Sequence, residues 1–310
     1  MSSAYQPSRS GRTAIYLSLV LAVALVLGVV VGAKLVFERA AKQPVSMTAL
    51  PAPLADSPEC ADFVAGLPDE LIGHDRAEIA EPAPAGVAAW SSSSVEQVTL
   101  RCGVDLPLQY TDYAPTEMID GVEWLLITDA TPGSTLASWF TVDRTPVVAV
   151  TADEESLGRA DNPVEGLSEG MATLAAADHE PFPAPLSGLA AGDGSRCGDL
   201  MDNLPGTIAD GYSRIDVAEP LTAAWAAPGL EPVVLRCGVA PPENYEAGLQ
   251  LNQVNDVVWF EDTTLANGTT SSTWFALGRD VDVAVSVPQA TGNAAVVTLS
   301  EIIAAETGEQ

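Results

Sequence analysis

The chain has 310 residues, enough for two domains of ordinary size, and carries 42 Asp and Glu against 13 Lys and Arg for a formal net charge of -29. Five basic residues (Arg9, Arg12, Lys34, Arg39 and Lys42) lie in the first 42 positions beside Glu38 alone, and the eight that follow are all arginine. A chain so acidic beyond its N-terminus repels phosphates and anionic headgroups, which excludes nucleic acid as a partner.

Residues 13–37 form an apolar run broken only by Ser18, two glycines and Lys34. A bilayer core requires roughly 20 such residues, whereas a cleaved signal has an apolar core of about 7–15. The run is therefore predicted to be a transmembrane helix that meets the lipid bilayer through residues 13–37, behind a short cytoplasmic tail at 1–12. Cleavage after Val31-Gly32-Ala33, giving a secreted protein, is the alternative. Four cysteines call for an oxidising compartment, so everything beyond residue 37 is expected to be extracytoplasmic. Residues 38–58, with Pro44, Pro51, Pro53 and Pro58, read as an Ala/Pro-rich stalk. In extended geometry it would reach about 50–60 Å.

The remainder is a duplication. Leu100-Arg101-Cys102-Gly103-Val104 recurs as Leu235-Arg236-Cys237-Gly238-Val239. Trp90, Trp124, Trp139 and Arg144 recur at the same spacing as Trp225, Trp259, Trp274 and Arg279. This defines a first repeat domain at 59–178, a Pro/Gly/Ala linker at 179–195 and a second repeat domain at 196–310. Each copy is expected to open with a helix, Cys60 to Leu67 or Cys197 to Leu204, stopped by Pro68 or Pro205. Strands follow at 98–104, 122–129, 136–142 and 147–151, with counterparts at 233–239, 257–264, 271–277 and 281–287. The turn pairs Pro132-Gly133 and Asn267-Gly268 punctuate them. Closing helices are expected at 167–177 and 299–305. The fold class is α+β: two tandem domains, each a small antiparallel sheet with a helix near each end.

Equivalent cysteines pair most economically as Cys60–Cys102 and Cys197–Cys237, one disulfide per domain. A zinc site would need closely spaced Cys/His pairs, and His74 and His179 have no counterparts, so neither a metal nor another cofactor is expected. No nucleophile elbow, metalloprotease helix or phosphate-binding loop occurs, and no catalytic residue is assigned. The matched carboxylates Asp62/Asp199 and Glu81/Glu219 leave a carboxylate-based enzyme or sensor acting on a small cell-wall-related ligand as the alternative.

Strand alternation sets Leu100, Cys102 and Val104 against the core and turns Arg101 outward. The same reasoning sets Leu136, Phe140 and Val142 inward and turns Trp139 outward, with Arg144 at the next turn. The candidate binding residues are thus Arg101, Trp139 and Arg144, and Arg236, Trp274 and Arg279. They are expected on the sheet face away from the helices. Three readings compete there: cation–π cover for a bare sheet, an interface with an envelope protein or between the repeats as an internal pseudo-dimer, and a site for a carboxylate or sugar. Trp124 and Trp259 are assigned to the core.

The combination of a cysteine before Leu-Pro, Ala-Ala-Trp, Leu-Arg-Cys-Gly-Val and a Trp-Phe strand ending in Arg resembles the actinobacterial domain-of-unknown-function 3515 family. The resemblance spans residues 59–177 and 196–305. It implies a membrane-anchored or secreted envelope protein, here in tandem, and no reaction. The expectation is a non-enzymatic binding or interaction module.

Overall fold

The computed structural model describes residues 9–41, 43–246, 248–265 and 268–310. Helix α1 (Arg9–Ala41) contains the predominantly apolar stretch Ala14–Lys34, with mean hydropathy 2.9 and no residue of it buried. It is long and apolar enough to cross a membrane, and the same properties suit a signal sequence.

In the first repeat, α2 (Pro58–Ala65) starts where Ser57 accepts from the Cys60 amide and Pro58 takes the first turn. The strands are β1 (Glu70–Leu71), β2 (His74–Arg76), β3 (Val87–Ser91), β4 (Gln97–Cys102), β5 (Thr116–Ile119), β6 (Val122–Thr128), β7 (Ala137–Thr141), β8 (Arg144–Thr145), β9 (Val148–Ala152) and β10 (Ala175–Ala176). Between β9 and β10 lie two single-turn helices, α3 (Glu154–Leu157) and α4 (Ser168–Met171). Eight of the strands form one antiparallel sheet in the order β1-β2-β3-β4-β9-β7-β6-β5. The chain makes a four-strand meander, jumps to the far edge, and works back until β9 closes against β4.

The second repeat copies this layout. It has α5 (Gly198–Asn203), then β11 (Thr207–Ala209), β12 (Tyr212–Ile215), β13 (Thr222–Ala227) and β14 (Leu230–Cys237). From the far edge follow β15 (Asn252–Val254), β16 (Val257–Glu261), β17 (Ser271–Leu277) and β18 (Val283–Pro288), in the order β11-β12-β13-β14-β18-β17-β16-β15. Helix α6 (Ala294–Glu306) ends the domain. The hairpin strands β1–β3 and β11–β13 and the edge strands β5 and β15 were not foreseen from hydropathy. They are short, and the two edge strands are exposed or half-buried throughout.

The closing helices are not equivalent. Residues 294–306 contain neither Gly nor Pro and make thirteen helical residues. In the first repeat Pro163, Gly166 and Gly170 interrupt the corresponding stretch, leaving a 3-10 turn and α4, after which residues 175–176 are strand. The helix expected over 167–177 is thus reduced to its first turn. Asn267, of the expected Asn267-Gly268 turn, lies outside the described residues.

Each sheet is covered on both faces. On the helix side, Cys60, Phe63, Trp90, Leu100, Trp124, Trp139 and Val150 form the first core, and Cys197, Leu200, Trp225, Leu235, Trp259, Val285 and Leu299 the second. On the other side lies a strap formed by the chain leading into each domain. In the first repeat Val45 forms a parallel bridge to Ile79 and is buried with Met47 and Ala89. Residues 45–55 therefore do not stand free as a stalk, because Val45 and Met47 give the segment apolar side chains to bury. In the second repeat Ala184 and Leu186 pack on Ala224, Val234, Phe275 and Ala284, and Ala191 bridges to Val239.

The repeats also touch each other. The Thr128 amide and hydroxyl both donate to the Gly229 carbonyl at 2.8 Å, joining the end of β6 to the β13–β14 hairpin. Gln109 donates to Glu231 at 3.2 Å, and the Tyr113 hydroxyl donates to Glu219 at 2.5 Å. Burial first, and then this bond, hold the Tyr113 phenol far above its ordinary ionisation range, so it remains a donor.

Candidate ligand cleft

The repeated motif proves to be a lock for the straps. Leu100 and Leu235 enter the helix-side cores, and the disulfides Cys60–Cys102 and Cys197–Cys237 staple the strand to α2 and to the N-terminus of α5. Arg101 does point to the other face, but its Nη2 donates to the Thr48 carbonyl at 2.9 Å across the strap. Arg236 repeats this with the Leu186 and Leu189 carbonyls at 2.9 and 2.8 Å. Burial alone lowers the Arg101 pKa from its usual value. Gly103 and Gly238 sit at φ +82° and +72°. A Cβ there would lie 2.3 Å from the Leu54 carbonyl carbon and 2.6 Å from Gly194 Cα, so the strap crosses the motif where only glycine leaves room. The turn also takes Val104 and Val239 off the inner face; Val239 is buried in the strap-side layer.

The other four candidates scatter. Trp139 and Trp274 belong to the helix side, opposite the arginines. Trp139 shares a row with Val150 and Leu100, whereas Arg101 shares one with Ala149 and Phe140. Alternation misled because the strap makes both faces apolar: Phe275 is buried in the strap-side layer, and Phe140 shares the row of Arg101. Arg144 donates to the Asp143 carboxylate at 2.6 Å and to the Gly121 carbonyl at 2.8 Å. Arg279 is buried and ties the end of α6 through Thr307 and the Ala304 carbonyl.

The cation–π pairs lie elsewhere, between the landmark tryptophans Trp90 and Trp225 and two arginines that were not among the candidates. Arg76 stands 4.9 Å from the Trp90 ring and Arg214 stands 6.0 Å from Trp225. Each indole donates to the carbonyl of the proline ending the first helix pattern, Pro68 or Pro205, at 2.9 Å. Their matched positions, 138 apart, were the available signal. The paired carboxylates do not converge: Asp62, Asp199 and Glu81 are exposed, and Glu219 is held by Tyr113.

Two predicted residues line cavities: Arg236 one of about 260 Å³ with Tyr113 and Glu219, and Trp274 a larger one. Trp274 is half-buried, whereas Trp139 is only 5% exposed. In the first repeat Leu126, the register partner of Trp139, packs on that core; the equivalent partner of Trp274 is Glu261. Beside Trp274 lies a cleft of about 610 Å³. Its floor continues along β17 through Ser272, one wall is the first turn of α6 with Asn293, Val296 and Val297, and the other is the β15–β16 hairpin with Gln253 and Asn255. Gln289, in the turn after β18, closes one end.

None of the thirteen lining residues is charged, and Glu261 is not among them. The first repeat carries Met118, Asp120, Asp153 and Glu154 where the cleft has Gln253, Asn255, Pro288 and Gln289. The cleft therefore offers an indole, aliphatic side chains, four carboxamides and two hydroxyls, Thr270 and Ser272. Such a surface can stack and hydrogen-bond a ligand, and its lining holds no titratable side chain beside the Thr270 and Ser272 hydroxyls.

Two tandem α+β domains, each an eight-stranded antiparallel sheet with one disulfide, define this as a duplicated, disulfide-stapled protein behind an N-terminal apolar helix. The family model described as a protein of unknown function, DUF3515, matches residues 19–180 and again 171–310, so the chain belongs to that family and carries its domain twice. No curated protein and no solved structure matches the chain.

Proposed function

We propose that this chain is a membrane-tethered, extracytoplasmic envelope protein that binds a small ligand without transforming it, and that the cleft beside Trp274 is its binding site. The observation that carries the reading is the cleft itself: concave, within the size range of ligand sites, and lined by an indole, aliphatic side chains and six uncharged polar side chains. Tethering is supported by the length and hydropathy of α1, and an oxidising location by two disulfides and no free cysteine among the described residues. The strap-locked scaffold supplies rigidity, and the contacts between Thr128 and Gly229 join the repeats as an internal pair.

A ligand-observed NMR screen of neutral fragments against the full chain in lipid nanodiscs tests this. Hits are expected to compete for one site and to lose at least tenfold in affinity in Trp274→Ala, as an aromatic anchor at the centre of a site does. Hits indifferent to that substitution would remove the cleft from consideration.

A further inference from the structure

Resting on the cleft as the binding site, we infer that its ligand is an uncharged pyranose oligosaccharide, seated with the apolar face of one ring on Trp274. Three observations converge on that class. First, the indole is half-buried on β17 and lines the cleft beside Ser272, with the second core packed against it. A sugar ring has an apolar C–H face and a hydroxylated rim, and needs a flat, electron-rich platform bordered by polar groups.

Second, those polar groups are of one chemical kind. Gln253, Asn255, Gln289 and Asn293 each present an acceptor oxygen and a donor nitrogen. Hydroxyls are likewise both donors and acceptors, so carboxamides satisfy them in either sense without imposing a charge. A cationic peptide or amine would be better served by carboxylates, and an anion by arginine. This chain has 42 carboxylates to spend and places none in the lining.

Third, the duplication provides an internal comparison. At the aligned positions the first repeat keeps Asp120, Asp153 and Glu154, and its Trp139 is buried under the first core. The same scaffold thus exists in a closed, acidic version and an open, neutral one. Only the open version can stack a ring.

The experiment uses the full chain, labelled with 5-fluorotryptophan and inserted in nanodiscs, with the Trp274 fluorine resonance assigned by Trp274→Phe. The probes are neutral β-1,4-linked N-acetylglucosamine and glucose tetrasaccharides, a glucuronate-containing tetrasaccharide, a neutral tetrapeptide and a dilysine peptide. The neutral sugars are expected to shift Trp274 and leave Trp139 unmoved, with at least tenfold weaker binding in Trp274→Ala and in Gln253→Ala/Asn255→Ala. Asn255→Asp/Gln289→Glu, which imitates the first repeat, should weaken them several-fold. A Trp274 shift from the tetrapeptide but not the sugars would overturn the saccharide class while keeping the cleft. Preferential binding of the dilysine peptide, strengthened in the acidic double variant, would overturn it likewise. No shift of Trp274 with any probe would overturn the cleft as well.

Discussion

At the scale of single residues, the five-residue motif assigns its functions to different sides of one strand. Leucine and cysteine face the helices; arginine and glycine face the strap. The arginine is informative because its partners are backbone carbonyls, which the chain entering each domain would otherwise have to leave unpaired against a sheet face. The glycine sets the distance of approach. Gly238→Ala adds a methyl group 2.6 Å from Gly194 Cα at φ +72°, and should destabilise the second repeat by about 2 kcal/mol or more. Hydrogen–deuterium exchange should then accelerate at residues 186–194, with the first strap at 45–55 unchanged. If the second strap stayed protected, the lock would lie elsewhere than in the motif. The outward arginine was legible from alternation alone. Its partners were not, since nothing in the Pro- and Ala-rich segments announces that they fold back, and the hidden strap also inverted the assignment of Trp139 and Trp274.

At the scale of elements, the long strands were legible because each combines β-branched or aromatic residues with a bounding turn: β6, β7, β16, β17 and β18 all fall within the expected ranges or within a residue of them. The closing helices were legible only in part. Their apolar residues match, but the breakers Pro163, Gly166 and Gly170 decide the outcome in the first repeat. The longer α6 brings a dedicated partner for the second core. The buried Trp259 indole donates to the Ser300 hydroxyl at 2.9 Å, which in turn donates to the Val296 carbonyl at 2.7 Å. Ser300→Ala keeps the helix but leaves an indole N–H buried and unpaired, a cost of about 1–3 kcal/mol. The melting transition of the second repeat should fall while the disulfide-stapled first repeat melts as before. An unchanged transition would mean that the indole finds another acceptor. Because α6 also walls the ligand cleft, any loosening of this seam should appear in the Trp274 resonance.

At the scale of the whole molecule, the strap sets how far the domains could stand from a bilayer crossed by α1. A free 21-residue spacer would hold them about 50–60 Å away. Instead Val45 is pinned beside Ile79 by the Val45–Glu78 and Ala80–Val45 backbone bonds at 2.8 and 2.9 Å. Between the apolar stretch ending at Lys34 and the end of α1 at Ala41 the helix rises about 10 Å. The four steps from Ala41 to Val45 add at most about 15 Å. With α1 as the anchor, Val45 and the edge of the first repeat to which it is pinned would lie within roughly 25 Å of the hydrocarbon edge. Neutron reflectometry of the full chain in a supported bilayer checks the arrangement: protein density should begin directly beyond the headgroups. A solvent-filled gap approaching 50 Å would show that the strap peels off its sheet at the membrane surface. Replacing Val45 and Met47 together by serine removes the apolar contacts that hold the strap and should create such a gap in a chain whose domains remain folded, since the disulfides and both helix-side cores are untouched.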